Sequence, residues 1–156
     1  MTRHGAEVRV ARYPDGAATP EDFEIVEVRV GHPGPGQVLV RNTWTSVDPG
    51  LRLRLRADAP AGYFAAFPLG QPMDGVMAVG EVVESRTDGF APGDLVSHAQ
   101  GWREYAVVDP AVVPPGGVGT PTRLDAGPAA PQGVPRPAGG LGVTAAARLP
   151  AVARAP

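Results

Sequence analysis

Few side chains in this sequence could do chemistry unaided. The histidines, His4, His32 and His98, lie far apart, and there is no Cys. No pair has the i, i+4 or short-loop spacing of a metal-ligand set, so they read as surface or loop histidines. Ser46, Ser85 and Ser97 lack the Gly-x-Ser-x-Gly elbow that presents a nucleophile. Asp48, Asp74 and Glu81 could exchange protons only if the fold gathers them. Each alone reads as a turn cap or a solvated carboxylate. Gly139-Gly140-Leu141-Gly142 is glycine-rich, but no strand pattern precedes it, as a phosphate-cradling fingerprint requires. The aromatics are few, so their placement counts. Trp44, Tyr63, Phe64, Phe67, Trp102 and Tyr105 fall in strand patterns or in the 57–72 loop. They either pack a core or line the mouth of a pocket for a flat apolar ligand.

The elements that would carry these residues read as β. Residues 7–13 alternate with period 2, and Phe23, Ile25, Val26, Val28 and Val30 mark a second strand. A third runs from Gln37 to Thr45, rich in β-branched and aromatic residues. After the Asp48-Pro49-Gly50 turn, Leu51–Arg56 fits a short helix or an edge strand equally. Met77–Ser85 is the most apolar strand, and Gly80 within it implies a bulge or a close backbone approach. A tight turn at Phe90–Asp94 leads into Leu95-Val96-Ser97, and Trp102–Val108 is the last clear strand. Short strands separated by Pro/Gly turns predict a barrel or sandwich. The absence of βαβ alternation excludes a doubly wound sheet.

Composition sets the outer limits. The 156 residues are enough for one sizeable core. A net charge of -2 gives no basic field for nucleic acid or an anionic membrane. No apolar run approaches the ~20 residues of a membrane span, and no signal peptide is visible. The expected compartment is the cytoplasm. Residues 109–140 hold 8 Pro and 7 Gly, a density that breaks helix and strand periods alike. The chain therefore divides into a patterned body and an unpatterned, irregular tail that is expected to be disordered.

Four segments in order resemble the zinc-free medium-chain dehydrogenase/reductase family, in the branch of prostaglandin reductases, leukotriene B4 dehydrogenase-like proteins and 2-alkenal double-bond reductases. They are Val40–Pro49 with Arg52, Leu69–Gly75 with Val79–Ser85, Phe90–Ser97, and Gly101–Val107. The resemblance implies a mainly β, GroES-like, partly open barrel over residues 1–108, with short helices and no Rossmann domain in this chain. It implies an irregular linker over 109–140 and, over 141–156, a remnant like the start of the helix that leads to a cofactor domain. The implied enzyme passes hydride from NADP(H) to the β-carbon of an enone or enal. By matching motif positions, Trp44, Asp48, Met73 and Trp102 would line the substrate pocket. Asp48 would orient its loop and bond a substrate oxygen. Gly142-Val143-Thr144-Ala145 resembles the segment whose Thr lies near the nicotinamide, which makes Thr144 the one implied cofactor contact. The sequence departs from the family at Gly50, where an aromatic is usual, and in the long Pro/Gly tract.

Three readings follow. The first is the substrate-binding half of an enone or 2-alkenal reductase, interrupted before its nucleotide loop. On this reading the tail has the composition a shifted frame in GC-rich DNA would encode, and NADP(H) would not bind this chain tightly. The second is a stand-alone pocket protein that binds, cyclises or isomerises an unsaturated carbonyl or polyene without nicotinamide. The third is a docking module for a separate Rossmann subunit or a second copy of itself.

Overall fold

The computed structural model describes residues 3–59, 64–75, 77–114 and 118–124, and the backbone of 146–148. Eight strands form in chain order: β1 (Arg3–Val10), β2 (Phe23–Val30), β3 (Val38–Ser46), β4 (Ala78–Ser85), β5 (Leu95–His98), β6 (Tyr105–Val108), β7 (Thr122–Leu124) and β8 (Ala146–Arg148). The described helical segments are two 3-10 turns, Pro20–Asp22 and Pro49–Arg54. The second settles the open reading of residues 51–56 in favour of a short helix. Its leucines account for this: Leu51 and Leu55 turn into the core while Leu53 stays exposed, a spacing that a strand cannot produce.

β1 and β2 form an antiparallel pair. The larger sheet is ordered β6-β3-β4-β5-β7, with β8 also pairing β3, and the described strands do not close into a barrel. The protein is thus mainly β, with the GroES-like architecture left partly open. β1 joins the two sheets. Val8 N–H donates to Trp102 O at 2.8 Å, Glu104 N–H to Ala6 O at 2.8 Å, and Met73 N–H to Val8 O at 2.9 Å.

The body follows the sequence patterns closely, except that β1 runs over Arg3–Val10 where the alternation placed it at residues 7–13. Val38, Val40, Val82, Val96, Ala106 and Val108 build one core between strands. Val10, Leu51, Leu55, Phe67 and Met73 build a second. Gly80 is a close approach: a Cβ there would lie 2.5 Å from Arg41 O and 2.6 Å from Val40 Cγ1. The register also slips beside it, with Asn42 opposite Gly80 and Trp44 opposite Val79, so Thr43 is the extra residue of a bulge. Gly93 in the Pro-Gly-Asp turn has φ of 95°, which only glycine adopts without strain.

The tail departs from expectation at two places. Thr122–Leu124, inside the Pro/Gly tract, pairs antiparallel with β5. Ala146–Arg148 pairs antiparallel with Trp44–Ser46, so these residues are extended where the resemblance implied the start of a helix. Three residues suffice for each pairing, too few for Pro and Gly on either side to forbid it. The last predicted strand is also shorter than its pattern, because Trp102 takes φ of 51° and the ladder starts only at Tyr105.

Candidate functional site

The end of β3 begins the site. Trp44, Thr45 and Ser46 lead through Val47 to Asp48, which stands at the N-cap of the Pro49–Arg54 turn. The Asp48 carbonyl accepts from Leu51 N–H at 3.0 Å, but its carboxylate makes no capping bond. The turn buries Leu51 and Leu55 beside Phe67 and Met73. The Arg54 guanidinium stacks 3.8 Å from the Phe67 ring centroid and covers this cluster from outside. Trp102 packs on the cluster from the opposite strand connection. Met73 and Trp102 are held side by side, because the carbonyl and N–H of Val8 bond one residue each.

Of the four residues expected to line a pocket, the structure brings Met73 and Trp102 into one cluster. It sets Asp48 at the start of the turn that supplies Leu51 to the same cluster. Trp44 is half-buried on β3 and is not among the residues packed there. Thr144 lies outside the described residues, as does Tyr63.

Three buried polar atoms have no hydrogen-bond partner among the described residues: Thr45 Oγ1, Asp48 Oδ2 and Trp102 Nε1. Each such atom carries a desolvation cost of about 1–3 kcal/mol, and native interiors contain few of them. Thr45 and Trp102 sit on segments that meet. A Cβ on Gly101 would overlap the Thr45 hydroxyl, and one on Gly75 would lie 3.1 Å from it. The strand end, the 73–75 loop and the 99–102 loop therefore converge on Thr45. Trp102 is the one non-glycine residue with positive φ among those described, a conformation that costs about 1–3 kcal/mol and clusters at functional sites.

A polar network backs the convergence. Asn42 accepts from His98 Nε2 at 2.9 Å and donates to Gln100 O and Arg103 O, both at 2.9 Å. Gln100 N–H donates to His98 Nδ1 at 3.1 Å. The Arg103 guanidinium donates to Asp74 Oδ1 at 2.6 Å, to Met73 O at 3.2 Å and to Gly101 O at 3.2 Å. Burial first, and the nearby Arg103 charge second, push the His98 imidazole down to about 4. This corrects the reading of His98 as a surface or loop histidine: it is 1% exposed on β5. The signal was present in the sequence, since His98 falls two residues after buried Val96 and so shares its inward face. His4 and His32 do lie outward, against Glu27 and Glu84. Among the described residues no three His, Cys, Asp or Glu side chains are grouped to hold a metal ion.

A groove of about 200 Å³ lies between β6 and the 118–121 turn, with His98, Ala99 and Gln100 on one wall. Gln37, Val107, Asp109, Val112 and Pro121 are among its walls, and none of the four expected pocket residues is.

Residues 6–114 match the family model described as the N-terminal domain of oxidoreductase. The chain belongs to the zinc-free medium-chain dehydrogenase/reductase family, through this domain. An NADPH-dependent curcumin reductase of Escherichia coli is 39% identical over 98 residues, 63% of this chain and 28% of that protein. An NADP(+)-dependent 2-alkenal reductase of Nicotiana tabacum is 35% identical over 107 residues, 67% of this chain and 31% of that protein. The NADPH complex of CurA from Vibrio vulnificus superposes with a TM-score of 0.62 at 31% identity, over 67% of this chain and 30% of CurA. The matched segment thus spans about a third of the length of these relatives.

Those names imply NADP(H) as the cofactor. The strand–glycine loop–helix unit that cradles a dinucleotide pyrophosphate is missing among the described residues, and their helical segments are three and six residues long. They do not fit the phosphates of NADP(H).

Proposed function

We propose that this domain forms the substrate-facing wall of an NADP(H)-dependent reductase of enones or 2-alkenals. The observation that carries the reading is the unpartnered indole N–H of Trp102, whose ring packs on the Met73–Phe67–Leu51 cluster. A conjugated carbonyl compound has an apolar body for the cluster and one acceptor oxygen for a donor. The Trp102 indole N–H is such a donor. A hydrogen bond to the carbonyl oxygen draws electron density from the conjugated double bond and makes its β-carbon electrophilic. Asp48 Oδ2 can only accept while ionised, so its part is to hold a substrate hydroxyl rather than the carbonyl oxygen.

The test is a titration of the purified chain with trans-2-nonenal, followed by isothermal calorimetry. The chain has no Cys and no Lys, so covalent capture of the enal by a side-chain thiol or amine does not confuse the readout. Trp102→Phe keeps an aromatic ring and removes the N–H. It should weaken enal binding about fivefold, the equivalent of ~1 kcal/mol for one neutral hydrogen bond. Unchanged affinity in a folded Trp102→Phe protein rejects the role given to the indole. Saturable binding that prefers a polyene with no carbonyl supports the nicotinamide-independent pocket protein instead.

A second reading, docking of a separate Rossmann subunit, draws support from exposed Val47, Leu53, Phe64 and Leu69 around the same cluster. A chain that stays monomeric at every concentration, and forms no complex with a purified Rossmann domain of the family, counts against it.

A further inference from the structure

We propose that Asn42 and His98 are positioning residues, a clamp that holds the 98–103 segment so that Trp102 faces its ligand. The proposal rests on the reading of Trp102 as a ligand contact. Its foundation is the bonding around the segment. The carboxamide of Asn42, 7% exposed on β3, gives its two N–H groups to the carbonyls of Gln100 and Arg103. Those carbonyls bracket Trp102 in the chain. The remaining amide oxygen takes the proton of His98 Nε2, and His98 Nδ1 takes the Gln100 N–H. The pattern admits one protonation state. Nδ1 must carry a lone pair, so the imidazole is neutral with its proton on Nε2. The amide orientation is fixed in the same way, because both carbonyls need donors.

The clamp answers a problem posed by Trp102. A bulky residue at φ of 51° persists only where its surroundings over-determine it. Val8 N–H fixes the Trp102 carbonyl, and the clamp fixes the chain on both sides. The bulge at Thr43 directly follows Asn42, so β3 resumes pairing in a shifted register just past the clamp. Protonation would break it twice: Nδ1–H would oppose the Gln100 N–H, and a cation would lie near Arg103. The charged groups facing His98 from the neighbouring elements are Arg103, which pairs with Asp74 and feels Glu7, and Asp109, which shares a groove wall with His98.

The experiment uses the full chain with Trp44→Phe, so that emission reports Trp102 alone. His98→Ala should shift that emission to the red and weaken trans-2-nonenal binding about tenfold. His98→Gln, which can still donate to Asn42, should recover much of both. From pH 7 downward the emission of the Trp44→Phe protein should change with a midpoint near 4, and His98→Gln should abolish that step. A folded His98→Ala protein with unchanged Trp102 emission overturns the clamp, and so does a His98→Gln protein as perturbed as His98→Ala. If His98→Ala does not fold, the acid titration decides. A step lost in His98→Gln supports the clamp, and emission that is constant until global unfolding refutes it. If the enal fails to bind the unsubstituted chain, the substrate reading fails while the emission results still decide the clamp.

Discussion

Trp102 shows how much a single residue can carry in this domain. Its ring packs on the second core, its carbonyl ties β1 to the site, and its indole N–H is buried without a partner. Motif matching singled out Trp102 and Met73 because the Gly101–Val107 and Leu69–Gly75 segments resemble the family. It did not find Thr45 or the Asn42–His98 pair. Thr45 becomes notable only when residues 75 and 101, remote in sequence, close on it. His98 was legible from its alternation with Val96, but histidine is intermediate in burial preference and gave no such cue by type. Its burial has a consequence for stability. Folding depresses the His98 value from 6.5 to about 4, so the unfolded chain binds the extra proton between those limits. Stability is full above about 6.5 and falls as pH drops towards 4, by about 3 kcal/mol in total. Urea unfolding at pH 7 and pH 4.5 should show this loss, and His98→Gln should remove most of it. Equal loss in the variant would show that other groups set the acid limb.

At the scale of elements, local patterns identified β1 to β6 because each strand announces itself by alternation and each turn by Pro or Gly. β7 and β8 were not legible, since three-residue strands gain their structure from the partner they meet rather than from their own sequence. The alternatives left open at Gly80 both hold: a close approach at Gly80 itself and a bulge on the facing strand. Gly80→Ala should therefore cost about 2 kcal/mol through overpacking against backbone, roughly 10 °C in Tm for a domain of this size. Gly31→Ala is the control, because a Cβ there meets nothing within 4 Å. Equal melting of the two variants would mean that β3 and β4 can move apart at little cost.

At the scale of the molecule, the chain carries the domain that the family uses ahead of its remaining two thirds, and the site lies where β3, the 49–54 turn and the 99–102 loop converge. The central claim is that this convergence recognises a conjugated carbonyl compound. The most direct measurement is an amide NMR titration of the full chain with trans-2-nonenal. The account predicts saturable shifts concentrated at residues 44–55, 73–75 and 101–103, with weaker effects from the saturated aldehyde nonanal. Shifts centred instead on the groove of Gln37, Val107 and Pro121, or no saturable shifts up to millimolar enal, would contradict it.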